Sequence, residues 1–221
     1  LMNRFSEPLE IGELKSQGKI KLLGLTMTDK MSFLPHAVDV ISKVAAKLPG
    51  IVRMRSWASE ELVKSTAESC LVSHISYLLH VYAAERRVQV ILQRCLNRIM
   101  RDILNRGPRD SVEQMMKDLD WLSIPNQVEY RTLYWMRRVE RERSSPYTSD
   151  HLKISQTERL TRGWRYEPTF MAQTMTTAQK FCHRGSSLYS SYNLLPRLLE
   201  FGEYKEVIRS LILERNGNRN I

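Results

Sequence analysis

The stretch that most constrains the fold runs from Ala84 to Asn105, AERRVQVILQRCLNRIMRDILN. A helix turns about 100° per residue, and on that wheel the stretch separates into an apolar face and a stripe of arginines. The apolar face consists of Val88, Ile91, Leu92, Cys95, Leu96, Ile99 and Ile103. Because burying one Leu or Ile contributes roughly 1.5–3 kcal/mol, this face predicts a helix packed against a core.

The arginine stripe of this helix consists of Arg87, Arg94, Arg98 and Arg101. It is roughly 60° wide and lies about 120° from the centre of the apolar face. A charged helix face is most often a solvated surface. The alternative is a surface that contacts phosphates, for which the arginine guanidinium is well suited. The stripe alone leaves both interpretations open.

The overall charge favours a polyanionic partner. The 221 residues carry a formal net charge of +10, which is the sign expected of a protein that binds nucleic acid or an anionic membrane surface. The longest run without a charged residue, Ser69 to Ala84, is shorter than the roughly 20 residues that span a bilayer. No strongly hydrophobic, basic amphipathic helix is present either. We therefore expect no membrane as the partner, and the charge leaves open nucleic acid or a general basic surface.

The cysteines indicate a reducing compartment. Cys70, Cys95 and Cys182 are an odd, widely spaced set without a CxxC pair. This pattern is typical of buried free thiols in an intracellular protein. We expect a cytoplasmic or nuclear location, or both.

The pattern of apolar residues predicts a mainly α fold: a helical bundle preceded by a short β-hairpin and followed by a partly irregular helical extension. Residues 1–33 are expected to form a lead-in loop and the hairpin. A helical domain is predicted over 34–143, a linker over 144–169, and a C-terminal extension with a terminal helix over 170–221.

The hairpin is predicted within Lys19–Phe33, with its turn at Thr28–Lys30. Gly24 would then lie inside the first strand, where glycine marks a bulge or the close approach of another backbone or ligand. A helix is expected to begin at Pro35 and to end at Leu48, before Pro49.

Further helix boundaries follow from capping residues. A basic connector with Arg53 and Arg55 leads to Ser59, a candidate N-cap for a helix reaching Leu79. Ser111 is the candidate N-cap of a short helix ending near Leu119. The last helix is predicted over 197–213.

The helix within Leu119–Arg143 has a second basic face, on which arginines are mixed with tyrosines. The members of that face are Tyr130, Tyr134, Arg137, Arg138 and Arg141. Phosphate contacts with base stacking would explain the pattern, and Arg137 and Arg141 are the predicted contacts. Packing of the two tyrosines on a neighbouring helix explains it equally well.

No catalytic motif is present in the chain. Two-metal nucleotidyl transfer needs paired carboxylates, but there is no Asp-Asp pair and no Tyr-x-Asp-Asp. Asp118 and Asp120 are two residues apart, a spacing that points them to different faces of a helix. Cys70 and His74 have no second pair at metal-site spacing. We expect neither an active site nor a metal or cofactor site within these residues.

Four segments, in order, resemble the C-terminal part of the reverse transcriptase of jockey-like, non-LTR retrotransposons. KIKLLGLTMTDKMSFLPH (19–36) is similar to the primer-grip hairpin of that family. The run 38–105 resembles its thumb, with the LQRxxxR pattern at 92–98. LDWLSIPNQVEYRTL (119–133) and FCHRGSSLYSSYNLLPRLL (181–199) resemble the segments that follow the thumb.

The last segment departs from the family pattern. Tyr189 stands where the family has Trp, extra residues precede Asn193, and no cysteine-rich knuckle follows. The palm and its catalytic aspartates would precede Leu1. We expect a truncated copy, or a fragment of a longer reading frame.

The resemblance implies a part of an RNA-directed DNA polymerase that grips primer–template nucleic acid. Leu23 and Gly24 would help to place the primer end, and the arginine stripe would contact the backbone of an RNA–DNA or DNA duplex. The partners would be nucleic acid and the remainder of the polymerase, whose palm would hold Mg²⁺. The chain alone is then expected to be inactive. The alternative is a basic helical protein-interaction module without a nucleic-acid role.

Overall fold

The computed structural model describes residues 10–11, 14–15, 18–142, 154–155, 165–166, 184–185, 187–188, 191–192 and 201–216. Side chains at 10–11, 14–15, 139–142, 154–155, 165–166, 201 and 216 are outside this description. Most of the predicted linker, 144–169, and most of the fourth resembling segment, 181–199, also lie outside the described residues.

The described residues are mainly helical and begin with short antiparallel strands, which confirms the predicted fold class. They belong to two compact units. The first comprises Leu1–Leu78 and Glu85–Trp121, and the second comprises Leu79–Ala84 and Leu122–Ile221. The predicted domain boundaries, with 34–143 as one helical domain, stay a prediction. Each unit is described by itself below.

The elements of the first unit are short strands followed by helices. The strands are β1 (Glu10–Ile11), β2 (Leu14–Lys15), β3 (Lys19–Leu22) and β4 (Leu25–Thr28). The helical elements are α1 (Leu34–Met54), α2 (Glu60–Ala67), a π-helical turn (Glu68–Val72), α3 (Ser73–Ser76), α5 (Arg86–Leu104) and α6 (Val112–Leu119). Helix α4 (Leu79–Tyr82) belongs to the second unit.

The β3–β4 hairpin turns at Leu23 and Gly24, not at Thr28–Lys30 as predicted. Both residues have positive φ angles, 48° and 83°. Two-residue hairpin loops favour positive φ at both central positions because that backbone twist matches the strands. Gly24 takes this conformation without steric cost, and so it lies in the turn and not inside a strand.

Helix α1 continues through Pro49, where the sequence predicted its end. Proline lacks the N–H that would bond to the Ala45 carbonyl, but Ala45 is exposed and that carbonyl can bond to water. Ile51, beyond the proline, is 5% exposed. Burial of residues on both sides of Pro49 offsets the lost hydrogen bond.

The two predicted N-caps are confirmed. The Ser59 hydroxyl accepts from the Leu62 N–H at 3.3 Å, and the Ser111 hydroxyl accepts from the Gln114 N–H at 3.3 Å. The helix that Ser59 caps does not reach Leu79. It contains the π-helical turn and ends at Ser76, because Tyr77 is extended and Leu78 has a φ of +49°.

Helices α1 and α5 lie side by side and run in the same direction. At their N-terminal ends Ser32 Oγ donates to Glu85 Oε2 at 3.2 Å. At their C-terminal ends Arg55 Nη1 donates to the Asp102 carbonyl at 2.8 Å. The apolar face of α5 is buried at Val88, Leu92, Leu96, Ile99 and Ile103. The face opposite the core is therefore free for the arginine stripe.

The second unit is organised around α7 (Ile124–Glu142) and the terminal helix α8 (Phe201–Asn216). Their core cluster contains Leu133, Met136, Tyr204, Ile208 and Ile212. A pair of two-residue strands, β5 (Ile154–Ser155) and β6 (Arg165–Tyr166), is antiparallel. Helix α8 continues past the predicted end at residue 213, and the predicted start at residue 197 lies outside the described residues.

Candidate functional site

The arginine stripe of α5 is largely solvent-exposed. Arg87 and Arg94 are exposed, and the Arg98 side chain is 70% exposed. The three lie on one face because seven- and four-residue separations return to nearly the same side of a helix. From Arg87 to Arg98 the helix rises about 16 Å, at about 1.5 Å per residue. An exposed cationic strip thus follows most of α5.

Two members of the stripe, Arg98 and Arg101, are less free than the others: one is ion-paired and one is half-buried. Arg98 Nε lies 3.6 Å from Asp102 Oδ2, an exposed i,i+4 pair of the kind that contributes at most a few tenths of a kcal/mol. Such a weak pair leaves Arg98 able to exchange its partner. Arg101 is half-buried, and its Nε is buried. Arg101 is therefore the least available of the four.

Arg53 of α1 extends the strip onto a second helix. Arg53 and Arg98 line one surface recess of about 430 Å³. Its other lining residues are Leu48, Pro49, Val52 and Asp102. The recess lies along the α1–α5 contact, so a phosphate backbone there would meet guanidinium groups from both helices.

The first unit has a second, larger cleft of mixed charge. It has a volume of about 770 Å³ and lies among α2, α6 and the C-terminal end of α5. Its cations are Arg55, Lys64 and Arg106, and its acids are Glu60, Glu61 and Asp118. Arg106 and Asp118 are 3.7 Å apart. A polyanion gains little here because the acids repel what the cations attract.

The arginine–tyrosine face of α7 is largely engaged in packing. Arg137 is 7% exposed, and its guanidinium carbon lies 5.4 Å from the centre of the Tyr204 ring on α8. Tyr130 packs against the core cluster of the second unit. Lys205 Nζ lies 5.4 Å from the centre of the Tyr134 ring. These contacts favour packing of the tyrosines on a neighbouring helix, and they leave Arg137 little access to a phosphate.

The remaining residue predicted on this face is Arg141. Its backbone belongs to α7, and its side chain lies outside the described residues. The binding roles predicted for Arg137 and Arg141 stay predictions.

The primer-grip-like residues lie at the tip of the β3–β4 hairpin. Leu23 is 77% exposed, and its carbonyl accepts from the Tyr77 hydroxyl at 3.1 Å. A Cβ placed on Gly24 would lie 3.7 Å from the same Tyr77 ring. The turn therefore rests against the π-containing helical segment while its leucine projects into solvent.

The second unit contains a buried basic cluster that the sequence did not indicate. Arg184 donates to the His80 carbonyl, and the His80 ring stacks on Trp135 with centroids 5.5 Å apart. Burial, reinforced by the charges of Arg184 and Arg131, lowers the pKa of His80 to about 4. Burial also lowers the pKa of Arg184 to about 10. His80 is therefore neutral at pH 7, whereas Arg184 keeps its charge.

The described residues offer no metal centre of the usual kind, since no group of three or more His, Cys, Asp or Glu side chains comes together among them. Burial raises the pKa of the Cys95 thiol to about 11, so it stays protonated and is a poor nucleophile at neutral pH. The described His, Cys, Asp and Glu side chains, the Cys95 thiol included, therefore do not point to any particular reaction.

Arg53 and Trp57 are surface residues to which the sequence prediction assigned no role. Trp57 is 70% exposed, in the turn that follows α1. The only sequence signal for Arg53 was the basic connector around Arg53 and Arg55, because α1 was predicted to end before it. Periodicity does not identify the exposure of Trp57, which lies outside a helix.

Comparisons with known proteins add no relative. No protein-family model matches the chain, no curated protein is similar to it, and no solved structure matches it. Across the part of the chain that the structure describes, no helix is both long and apolar enough to cross a membrane.

Proposed function

We propose that this chain binds the sugar-phosphate backbone of a nucleic-acid duplex through α5, as the gripping part of a reverse transcriptase. The observation that carries the proposal is the exposed arginine strip, Arg87, Arg94 and Arg98, which Arg53 extends onto α1. The likeness of four ordered segments to a retrotransposon polymerase adds to it.

The geometry of the strip suits backbone contact. Its length of about 16 Å along α5 matches roughly five base-pair steps at about 3.4 Å each. Guanidinium groups bind phosphate oxygens through paired donors and need no particular base. The expected mode is therefore insensitive to sequence and sensitive to salt, because bound phosphates release their counterions.

The proposal leaves the chemical step to the remainder of the polymerase. Nucleotide addition and its Mg²⁺ need paired carboxylates, and the 221 residues contain no Tyr-x-Asp-Asp. This chain's contribution is to hold the duplex. Such a role places it inside the cell, in the cytoplasm or nucleus, where RNA templates and genomic DNA occur.

Fluorescence anisotropy with a labelled RNA–DNA duplex of arbitrary sequence tests the proposal. The logarithm of the association constant should fall linearly with the logarithm of salt concentration, and the Arg94→Gln/Arg98→Gln variant should reduce the magnitude of that slope by about 2. The matched control is Lys30→Gln/Arg109→Gln, which removes two exposed cations outside the strip. Equal effects of the two double variants, or wild-type binding that salt does not weaken, would exclude this surface.

A protein-interaction role is the second candidate, and one observation favours it. Apolar side chains are exposed on β3, in the adjoining turns and at the start of α1; they are Ile20, Leu22, Leu23, Met31 and Val38. Exposed apolar groups in one region are typical of protein contacts. This surface could contact the remainder of the polymerase, in which case the two roles coexist. Without any nucleic-acid role, the chain would bind no duplex near physiological salt.

A further inference from the structure

Trp57 is an aromatic side chain that the first unit leaves in solvent. It is 70% exposed. Trp121 is half-buried and donates through its Nε1 to Glu68 Oε1 at 2.7 Å. Trp135, in the second unit, stacks on His80. Trp57 thus contributes much less to packing than either of these two tryptophans.

The turn that carries Trp57 is held in place by hydrogen bonds. The N–H groups of Trp57 and Ala58 donate to the Met54 carbonyl at 3.1 and 2.8 Å. Ser56 Oγ donates to the Arg53 carbonyl at 2.9 Å. The Arg55 guanidinium ties the same turn to the Asp102 carbonyl on α5. An exposed ring on a fixed turn is prepared for a partner, because little further ordering is needed on binding.

The charges around Trp57 change sign along the chain. Arg53 precedes it and lines the same recess as Arg98, so it belongs to the cationic strip. Glu60 and Glu61 follow it at the exposed start of α2. Phosphates are attracted on the first side and gain little on the second, where these acids line a cleft together with Arg55 and Lys64. A backbone that follows the strip should therefore stop near Trp57.

We infer that Trp57 stacks on an unpaired base where a bound duplex ends, an inference that rests on the proposed function. The cationic strip holds the backbone of the duplex, and the indole covers a base that no longer has a pairing partner. Base stacking on an aromatic ring does not depend on which base is present, because every base has a π face.

The test compares a blunt RNA–DNA duplex with extended versions of the same duplex. Each extended version has one four-nucleotide single-stranded extension, placed at either the 5′ or the 3′ end of either the RNA or the DNA strand. Wild type should bind at least one extended duplex roughly 10-fold more tightly than the blunt one. Trp57→Leu should remove that preference and leave blunt-duplex affinity unchanged within about 2-fold, whereas Trp57→Phe should keep most of the preference. An extension of abasic nucleotides should bind wild type like the blunt duplex, since it retains phosphates and lacks rings.

The outcomes separate this inference from the proposed function. Salt-dependent wild-type binding with no preference for any extension, or a preference that Trp57→Leu retains, overturns the role of Trp57 alone. Absence of binding to every duplex overturns the proposed function and the stacking role with it. A preference that survives with abasic extensions would assign the effect to phosphates and would also overturn the stacking role.

Discussion

Arg94 on α5 and Arg137 on α7 are both helical arginines predicted to contact nucleic acid, but they have opposite surroundings. Arg94 is exposed. Arg137 is 7% exposed and lies over the Tyr204 ring. The same holds for their neighbours: Arg98 is 70% exposed, whereas the Arg138 guanidinium lies 5.1 Å from the centre of the Trp135 ring.

The difference between the two helices lies in the aromatic residues. Helix α5 contains none, so its arginines have no ring to cover. Helix α7 carries tyrosines and a tryptophan and packs on Tyr204 of α8. A ring attracts a cation and also covers its apolar stem. Arginines mixed with aromatics can therefore indicate internal packing as readily as a nucleic-acid surface.

The largest expected effect is a loss of duplex affinity when the arginines of α5 are removed, compared with removal of the same number of arginines from α7. Arg87→Gln/Arg94→Gln/Arg98→Gln should lower duplex affinity roughly 100-fold near physiological salt, since about three phosphate contacts are lost. Arg131→Gln/Arg137→Gln/Arg138→Gln has the same net charge and should change affinity much less. Anisotropy at one salt concentration measures both. A larger loss from the α7 triple, with its fold intact by circular dichroism, would reverse the comparison.

For the free energy of unfolding we expect the buried arginine of α7, which should matter little for binding, to have the larger effect. Arg137→Ala should destabilise the second unit by about 2 kcal/mol, because it removes a desolvated cation–π contact and the packing of the side-chain stem. Lys205→Ala is the control, since that exposed lysine over Tyr134 should contribute only about 0.5 kcal/mol. Urea unfolding followed by circular dichroism gives both values. If Arg137→Ala lowers the free energy of unfolding no more than Lys205→Ala does, the burial of Arg137 does not stabilise the second unit.

The basic cluster of the second unit predicts a dependence of stability on pH. The pKa of His80 is lowered to about 4 from the ordinary 6.5, so between these values the unfolded state binds the proton more readily than the folded state. The contribution of His80 to the free energy of unfolding is therefore fully present above pH 6.5 and is lost as the pH falls toward 4. His80→Phe, which keeps a ring against Trp135, should unfold with a smaller loss of stability between pH 7 and pH 4.5. An identical loss in both proteins would assign the acid sensitivity to other groups.

The smallest effect concerns the carboxylate beside the strip. Asp102→Asn should leave the free energy of unfolding within about 0.5 kcal/mol of wild type, because its pair with Arg98 is exposed. The Asp102 carbonyl still accepts from Arg55 in this variant. Duplex affinity should rise roughly 3-fold, since a charge that repels phosphate is removed. Unchanged or weaker binding would place the duplex away from Arg98.

Periodicity and capping residues predicted much of the first unit. The buried face of α5 and the caps Ser59 and Ser111 appear where the sequence indicated, because these features depend on local spacing. The predicted end of α1 at Pro49 was wrong, since packing of Ile51 against the core outweighs a local helix-breaking tendency. The hairpin turn was misplaced because Gly24 was assigned to a strand, although its positive φ suits a turn.

The candidate site was only partly predictable. Helical spacing placed Arg87, Arg94 and Arg98 on one face, and the structure leaves that face in solvent. The recess shared by Arg53 and Arg98 depends on the pairing of α1 with α5, a contact between distant segments that no local pattern encodes. The burial of Arg137 depends in the same way on Tyr204, which is 67 residues further along the chain.

The positions of Arg53 and Arg87 at helix ends have a consequence for helix stability. Aligned peptide dipoles give each helix about half a positive charge at its N-terminus and half a negative charge at its C-terminus. Arg53, in the last turn of α1, lies at a negative end, where a cation is favourable. Arg87 lies in the first turn of α5, at the positive end, where its charge costs roughly 0.3–1 kcal/mol. A neutral residue at position 87 would therefore give a more stable helix.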